Sequence, residues 1–435
     1  MQSILLFFVF AIATAFCGHQ LVLDIQNEAY FSQHAQDQVW RCVLPQNVSA
    51  ADVHALMDRL DVWSDRLMAG RPFDVRLTAP QEQAMHLDQL GCECHVLIED
   101  VPALMRAERQ SDEEASAADE ASDDLFFFKS YHAFDDLIAY VRQMVDAHPD
   151  VATFVPSIGK THEGRDIPVV RISIMKASKS GTKVTYWFNG GIHAREWISS
   201  HTAVFLIHQL LTAYDRKDQQ IQYLLEHVEF VVAPHINPDG YEYSRLHDRM
   251  WRKNRRSMNN GRAFGVDLNR NFDVKWGGVG TSGDPQSDIY RGPSAASEPE
   301  VQALQNYISG LEGAVIGIDF HSYGQLILRP YGYTLADHPK ETFNKRLGDA
   351  MRDAIKDVNG KVYTSQKSAG LYPVTGGFDD WMTQQGLIGF TVELRDTGRY
   401  GFILPKDQII PTGQEIWDAF KVSSMMVLEA ASEQQ

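Results

Sequence analysis

The chain has 435 residues, of which 44% are hydrophobic and 22% are charged, and its formal net charge at pH 7 is −17. This length accommodates one large domain and a smaller one, and so acidic a chain offers no general basic surface for nucleic acid. Residues 1–124 carry −14 of the net charge, so the rest of the chain is nearly neutral. We therefore expect two parts of different character and no nucleic-acid partner.

The first predicted element is a secretory signal. Residues 4–16 form an apolar stretch of 13 that small residues follow, which is too short to span a bilayer comfortably. The usual basic residues before the stretch are missing, but its length and position predict a signal over residues 1–18. No later apolar run approaches 18 residues. We expect a secreted, extracellular protein without a membrane partner.

Strands and helices alternate after the signal. This pattern predicts a small α+β domain of ferredoxin-like type within residues 19–109, in which Ser49 can cap the first helix. An independent binding domain is the alternative interpretation. The predicted strands are 38–44, 72–77 and 93–98, and the predicted helices are 50–60 and 81–90.

All four cysteines also lie in this first quarter of the chain. Cys17 would leave with the signal, and the sequence does not determine the state of Cys42, Cys92 and Cys94. Asn47 begins an N-glycosylation sequon, and the sequence leaves open whether it is modified.

An acidic stretch rich in Ala and Ser is predicted to link the two parts. The run from Asp112 to Asp124 has little to bury, which favours a solvated, disordered spacer over a specific acidic interaction site. The predicted linker spans residues 110–128. Arg106 and Arg109 lie just before the spacer. At a domain boundary we expect both to be exposed to a trypsin-like protease.

The remaining chain, residues 129–435, is predicted to form the large domain. Its fold class is α/β: a mixed, mostly parallel twisted sheet with helices on both faces. A hairpin is expected around residues 162–166, and Thr412 and Glu415 have the spacing of a capping box for a last helix after Pro411. The main predicted strands are 184–188, 228–233, 315–320 and 388–392, and the predicted helices are 134–147, 198–214, 300–308 and 340–358.

Several of these strands end on residues that a metal-assisted hydrolase needs. The first leads into His193 and Glu196, the third stops at His321 and the fourth ends at Glu393. In an open α/β sheet, ligands bind beyond the carboxyl ends of the strands. Two imidazoles and one carboxylate leave tetrahedral zinc a fourth position for water, which is typical of a catalytic site. With 16 His and 57 acidic residues, chance alone gives roughly two His-x-x-carboxylate spacings, so the whole set carries the prediction.

The sequence motifs around these residues resemble those of the pancreatic-type zinc metallocarboxypeptidases of the A/B group. The resemblance extends from about Tyr131 to the C-terminus. The segment HVLIEDV at 95–101 is similar to the propeptide of that family. The resemblance implies a zymogen with a propeptide over 19–109, a catalytic domain over 129–435 and a trypsin-like activating protease. The motifs are GIHAREW (191–197), INPDGY (236–241), WRKNR (251–255), VDLNRNF (266–272), HSY (321–323) and ELRDTGRYG (393–401).

The resemblance also implies a role for each site residue. One Zn²⁺ would be held by His193, Glu196 and His321. Glu393 would act as general base and acid, unless it merely pairs with Arg395. The other implied roles are oxyanion stabilisation by Arg252, terminal-carboxylate binding by Asn269 and Arg270, closure by Tyr372 and a secondary substrate contact by Arg195.

Asp379 is expected to set the preference for the last side chain of the substrate. The Lys/Arg-specific subgroup of the family resembles this chain in placing an acid there. The alternative is that Asp379 caps a helix beginning near Trp381. We expect a monomeric exopeptidase that removes C-terminal Lys or Arg from peptides and proteins. An enzyme with apolar preference and a catalytically silent peptide-binding homologue are the other interpretations.

Overall fold

The computed structural model describes residues 31–32, 34–64, 67, 69–115, 124–174, 184–257, 265–371 and 373–433. The predicted signal and part of the predicted acidic linker lie outside these ranges, and so does Tyr372. Two sheets organise the described chain, one of four strands and one of eight. None of the helices in these ranges is long and apolar enough to cross a membrane.

The four-stranded sheet forms a small N-terminal domain. Its elements are β1 (Gln38–Val43), α1 (Ala50–Arg59), β2 (Asp61–Val62), β3 (Pro72–Leu77), α2 (Pro80–Gln89) and β4 (Glu93–Ile98). The strands are antiparallel and lie in the order β2-β3-β1-β4, which agrees with the predicted ferredoxin-like arrangement. Strand β2 was not predicted, because two residues cannot show an alternating pattern.

The core of the small domain contains its cysteines. Cys42 of β1 is directly opposite Cys94 of β4, and the two form a disulfide. Cys92 is a free thiol buried in the same core, where Leu56 and Phe73 also lie.

The start of α1 agrees with its prediction. Ser49 is the N-cap, and its Oγ accepts a hydrogen bond from the backbone N of Asp52 at 3.1 Å. Asn47 is exposed in the turn just before this cap, so the sequon lies at the surface of the small domain.

A helix that the sequence analysis did not place follows β4. This helix, α3, spans Val101–Ala115 and includes both Arg106 and Arg109, so the predicted linker begins inside it. Glu, Gln and Ala are good helix formers, and no Gly or Pro interrupts the acidic segment. Arg106 is exposed, Arg109 is half-buried, and both guanidinium groups lie over the ring of Phe31, at 4.9 and 5.3 Å. The expectation that both arginines are fully exposed at a boundary is therefore wrong for Arg109.

The large domain is built on the eight-stranded sheet. Its strands are β5 (Ala152–Val155), β6 (Val169–Ile172), β7 (Val184–Asn189), β8 (Val228–Ala233), β9 (Ala314–His321), β10 (Leu326–Arg329), β11 (Thr364–Lys367) and β12 (Ile388–Glu393). They lie in the order β11-β10-β12-β9-β7-β8-β6-β5. The central pairs β12–β9, β9–β7 and β7–β8 are parallel, as is β10–β11, and the other pairs are antiparallel. The predicted mixed, mostly parallel sheet is confirmed.

Helices cover both faces of this sheet, as predicted. They are α4 (Phe134–Asp146), α5 (Trp197–Asp215), α6 (Gln219–His227), α7 (Pro238–Leu246), α8 (Pro299–Ser309), α9 (Glu341–Asn359), α10 (Phe378–Gln384) and α11 (Ile409–Ser432). Tyr186 and Phe188 of β7 pack with α4, α5, α9 and α11 on one face, while Trp187 packs with α8 and α10 on the other. Central strands buried on both faces explain the continuous apolar runs in the sequence.

The start of the last helix differs from its prediction. Helix α11 begins at Ile409, so Pro411 lies in its first turn, where proline is tolerated. Thr412 Oγ1 donates to the carbonyl of Gln408 at 2.6 Å, and Glu415 pairs with Arg395. The two residues therefore do not form a capping box.

Candidate active site

Three metal-binding side chains converge at the carboxyl end of the sheet. His193 follows β7, Glu196 immediately precedes α5, and His321 is the last residue of β9. Their ligand atoms all lie within 4.8 Å of one another, and all three residues are buried. Glu196 lies 2.8 Å from His193 Nδ1 and 3.0 Å from His321 Nδ1. The structure thus brings together the predicted ligand set.

The turn that carries His193 requires a glycine. Gly191 has a φ of +72°, which favours residues without a Cβ. A Cβ there would lie 2.4 Å from Ser200 Oγ and 2.6 Å from the His235 ring. This close packing fixes the path of the chain from β7 into the site.

Two further carboxylates hold the outer nitrogens of the histidines. His193 Nε2 lies 3.1 Å from Asp267, and His321 Nε2 lies 2.7 Å from Asp319. Asn189 Nδ2 in turn donates to Asp319 at 2.6 Å. With these bonds both Nδ1 atoms face the centre, which is the second layer that zinc-binding histidines normally have. The donor set of two imidazoles and one carboxylate fits a catalytic zinc ion.

Asp267 and Asp319 were not among the predicted site residues. Asp267 lies in the motif VDLNRNF (266–272), and Asp319 is two residues before His321 on the same strand. A charged residue inside an otherwise apolar strand was the available signal, because a buried carboxylate needs a partner.

Electrostatics keep these carboxyl groups ionised. Burial alone would raise the pKa of Glu196, but His193 and His321 hold it down to about 2. Burial also opposes ionisation of Asp267, yet Arg252 and Arg270 hold its pKa well below the usual value of an Asp side chain. Carboxylates that stay charged at neutral pH favour a bound cation.

Glu393 lies beside the ligand set without belonging to it. It ends β12, in register with His321 on the neighbouring strand, and is buried. Arg395, its alternative partner, instead binds Glu415 and Gln408. Glu393 also lines a cavity of about 240 Å³. The described contacts of Arg395 are thus made with Glu415 and Gln408, and the role of Glu393 stays a prediction.

Arg252, predicted to stabilise the oxyanion, and Arg270, predicted to bind the terminal carboxylate, are both buried. Arg252 donates to Asp267 at 3.2 Å, and its Nη1 lies 3.7 Å from Glu196. Arg270 donates to the carbonyls of Gly280 and Asn269, both at 2.9 Å. Arg270 Nε also lies 4.0 Å from Asp267, so both guanidinium groups are close to the carboxylate that contacts His193.

Asn269 connects this group to the next segment of the site. Its Oδ1 accepts the backbone N–H of Phe378 at 2.8 Å, and its Nδ2 lies 3.4 Å from His321 Nε2. A Cβ on Gly376 would lie 2.3 Å from the carbonyl of Arg270. The start of α10 is therefore pressed directly against the two residues predicted to bind a terminal carboxylate.

Asp379 is buried in the first turn of α10. Its Oδ2 accepts from Ser368 Oγ at 3.2 Å, and its Oδ1 accepts from the backbone N of Asp380 at 2.9 Å. The helix begins at Phe378 without a side-chain cap, so Asp379 does not cap a helix starting near Trp381. That alternative is wrong.

The small domain covers the opening of this site. Asp61 of β2 accepts a hydrogen bond from Arg195 Nη1 at 2.7 Å, and it forms an ion pair with Arg76, whose Nε lies 2.7 Å away. Burial opposes its ionisation, but Arg195 and Arg76 lower the pKa of Asp61 to about 2. Trp63 follows β2 and packs against Phe402, with ring centroids 5.1 Å apart. Arg195, a predicted substrate contact, is thus bound to the small domain.

Strand β1 and helix α3 add further contacts between the domains. Arg41 binds both oxygens of Asp74 at 2.7 Å and donates to the carbonyl of Thr397 at 2.8 Å. Glu108 of α3 binds Arg249 through both oxygens, at 2.7 and 3.0 Å, and this ion pair is buried. The helix with the two candidate cleavage arginines is therefore fixed to the large domain.

Comparison with known proteins identifies the class of this enzyme. A family model described as zinc carboxypeptidase matches residues 137–419. Carboxypeptidase A1 of Bos taurus is 34% identical over 388 residues, which cover 87% of this chain and 91% of the relative. The metallocarboxypeptidase A-like protein of Trichophyton verrucosum is 40% identical over 302 residues, which cover 68% of this chain and 70% of the relative. The solved carboxypeptidase A from Helicoverpa armigera has a TM-score of 0.82 at 29% identity and covers 91% of this chain and 98% of its own.

The chain therefore belongs to the zinc carboxypeptidase family. It is a zinc metallocarboxypeptidase, a hydrolase whose substrates are peptide C-termini. The buried trio of His193, Glu196 and His321 can hold its metal.

Proposed function

We propose that the protein is the secreted zymogen of a carboxypeptidase that prefers C-terminal Lys and Arg. The observation that carries the preference is the buried carboxylate of Asp379. Within the described ranges its side chain meets neutral donors, the Ser368 hydroxyl and the Asp380 N–H, and no cation. A buried carboxylate without a counter-charge favours a ligand that brings one.

The neighbours of Asp379 determine which part of a substrate would reach it. The segment before α10 packs on Asn269 and Arg270, which we propose hold the terminal carboxylate. A planar guanidinium can bind both oxygens of that group. An internal peptide bond brings no carboxylate to this position, so binding favours an exopeptidase. Tyr372, which lies outside the described residues, is proposed to close over the same end.

The remaining residues would carry out the hydrolysis. Zinc, when bound, supplies Lewis acidity and activates water for attack. Glu393 takes a proton from the attacking water and returns it to the departing amine. Arg252 stabilises the negative oxygen that develops on the scissile carbonyl. Arg195 contributes a secondary substrate contact once it is freed from Asp61.

We also propose that the small domain is an inhibitory propeptide. Residues 1–18 would be the signal, 19–109 the propeptide and 110–128 the linker, with a monomeric catalytic domain over 129–435. The contacts of Asp61 and Trp63 support this proposal because they occupy the entrance of the site. A trypsin-like protease would cut after Arg106 or Arg109, and binding of Glu108 to Arg249 makes local opening of α3 part of that step.

A preference for apolar C-terminal residues is the second candidate. The relatives named above are described as carboxypeptidases A, so the basic preference depends on Asp379. The trypsin-treated protein should be assayed on hippuryl-Arg and hippuryl-Phe. Faster turnover of hippuryl-Arg is expected, and equal or faster turnover of hippuryl-Phe would contradict the basic preference. No turnover of either substrate by zinc-loaded, cut protein would favour a silent homologue.

A further inference from the structure

We propose that the Cys42–Cys94 disulfide is a redox-sensitive lock that keeps the small domain seated on the active site. This proposal rests on the proposed function, because it takes the small domain to be inhibitory. Opening the disulfide should expose the active site without any cleavage of the chain.

Sequence position confines the redox chemistry to the small domain. The last cysteine of the chain is Cys94, so the whole large domain lacks thiols and disulfides. Among the described residues Cys42–Cys94 is the one disulfide. A thiol reductant can therefore change the covalent structure of the small domain while leaving that of the catalytic domain intact.

The disulfide connects the elements that carry the domain contacts. Arg41, next to Cys42 on β1, points to the opposite face of the sheet and reaches the carbonyl of Thr397. Strand β4, which carries Cys94, leads directly into α3 and Glu108. The disulfide thus fixes β1, which contacts Thr397, relative to β4 and α3, which contact Arg249.

The size of the small domain makes this covalent bond important for its stability. A domain of fewer than a hundred residues buries a small core, and such domains often depend on a disulfide. The bond closes a loop with a sequence separation of 52 residues, and a disulfide stabilises mainly by restricting the unfolded chain. The contacts with the large domain come from several elements, so they persist only while the small domain stays folded.

The environment of the sulfur atoms favours attack at one end. Strand β4 is at the edge of its sheet and Cys94 is half-buried, whereas Cys42 is fully buried. One thiolate of a dithiol reductant attacks Cys94 Sγ, forms a mixed disulfide with it and displaces Cys42 as a thiolate. The second thiol of the reductant then closes its own disulfide and releases Cys94. Two electrons pass from the dithiol to the protein, and Cys42 and Cys94 end as thiols.

Cys92 does not provide an internal route for this exchange. Burial raises the pKa of the Cys92 thiol, so it stays protonated and is a poor nucleophile. Cys92 also lies in the same core as Cys42 without taking part in the bond. The variant Cys92→Ala is therefore a matched control for loss of a core sulfur.

The main experiment measures activity of the uncut, full-length chain on hippuryl-Arg. We expect Cys42→Ser/Cys94→Ser to be at least about tenfold more active than the uncut parent, while uncut Cys92→Ala resembles the parent. After trypsin treatment all three proteins should have the same activity, because the catalytic domain is unchanged. An uncut double variant as inactive as the uncut parent, with full activity after cutting, would overturn the proposal.

A second measurement does not depend on folding of the variant. The folded parent is treated with a dithiol, the dithiol is removed, and zinc is restored before the assay. Activation is expected for the parent and not for the double variant, and equal activation of both would contradict the disulfide as the target. If the untreated, uncut parent already matches the cut enzyme, the zymogen proposal itself fails. Inactivity of every cut protein would instead contradict the assigned substrate.

Discussion

The two ends of the active site are built in different ways. At the metal end, His321 and Glu393 terminate neighbouring parallel strands, and His193 follows a third strand closely. At the other end, Asp379 lies in a seven-residue helix that glycine contacts press against Asn269 and Arg270. The sheet therefore positions the metal ligands and Glu393, while a loop and a short helix carry the residue that we propose selects the substrate. Specificity at such a site can change at one position without rebuilding the metal centre.

The largest effect is expected at the metal end. Glu393→Gln keeps the size of the side chain but cannot accept a proton, so kcat on hippuryl-Arg should fall by roughly 10²- to 10⁴-fold. Zinc content should stay unchanged because Glu393 is not one of the three clustered ligands. Steady-state kinetics and metal analysis of the cut enzyme check both points. Full turnover by the variant would remove Glu393 from the mechanism.

A change at the other end should alter preference and leave the metal untouched. Asp379→Ile removes the buried charge, so activity on C-terminal Arg should fall and activity on Phe should rise. A desolvated charge pair is worth about 2 to 5 kcal/mol, which corresponds to roughly 30- to several-thousand-fold in the ratio of kcat/KM values.

Asp380→Asn is the matched control for this change. Asp380 is the neighbouring buried acid, and its Oδ1 accepts from the backbone N of Gly332 at 2.9 Å. The Asn variant keeps an acceptor there and should retain the preference of the parent. An unchanged Arg-to-Phe ratio in Asp379→Ile would show that Asp379 does not set specificity.

The same contrast explains what the sequence could predict. The large-domain strands that lead to the ligands are long apolar runs, so the positions of His193, His321 and Glu393 followed from pattern and strand polarity. Asp319 was not predicted because it lies inside such a run, and Asp267 was not predicted because it lies in a loop, just before a short 3₁₀ turn. Their roles depend on contacts between segments far apart in the chain.

The contacts between the two domains could not be predicted from the sequence either. Strand β2 has only two residues, yet it carries the Asp61 that binds Arg195. Periodicity shows which face of an element is buried, but it does not show which two surfaces meet. The disulfide was undetermined for the same reason, because pairing depends on strand register.

A smaller effect is expected one layer away from the metal. Asp319→Asn keeps the shape of the side chain but loses the charge that holds His321 Nε2 at 2.7 Å. Loss of such a partner typically weakens metal affinity by about 10- to 100-fold. Competition with a chelator measures this affinity, and the exposed Asp273→Asn is a suitable control. Unaltered zinc affinity in Asp319→Asn would show that His321 is oriented without Asp319.

The smallest effect is expected for the contact between Asp61 of the small domain and Arg195 of the large domain. Asp61→Asn leaves Arg195 and Arg76 without their shared carboxylate, so the domain should dissociate more readily. Because Asp61 is partly exposed, we expect about a five- to thirtyfold rise in activity of the uncut chain. Asp88→Asn, on the exposed side of α2, should leave this activity unchanged. Equal activities of the two uncut variants would show that Asp61 does not hold the domain in place.

The pH dependence of this contact has a definite sign. Burial raises the pKa of Asp61, but Arg195 of the large domain and Arg76 of the small domain together lower it to about 2, against an ordinary value near 3.9. Only the contribution of Arg195 depends on docking. A carboxyl group with a depressed pKa stabilises the docked state above its ordinary pKa, and that contribution is lost only as the pH falls toward the depressed value. The uncut parent should be less active than uncut Asp61→Asn, and the ratio of the two activities should therefore be constant between pH 7 and pH 5. Equal activities of the two uncut proteins at pH 5 would mean that a group other than Asp61 controls release of the small domain.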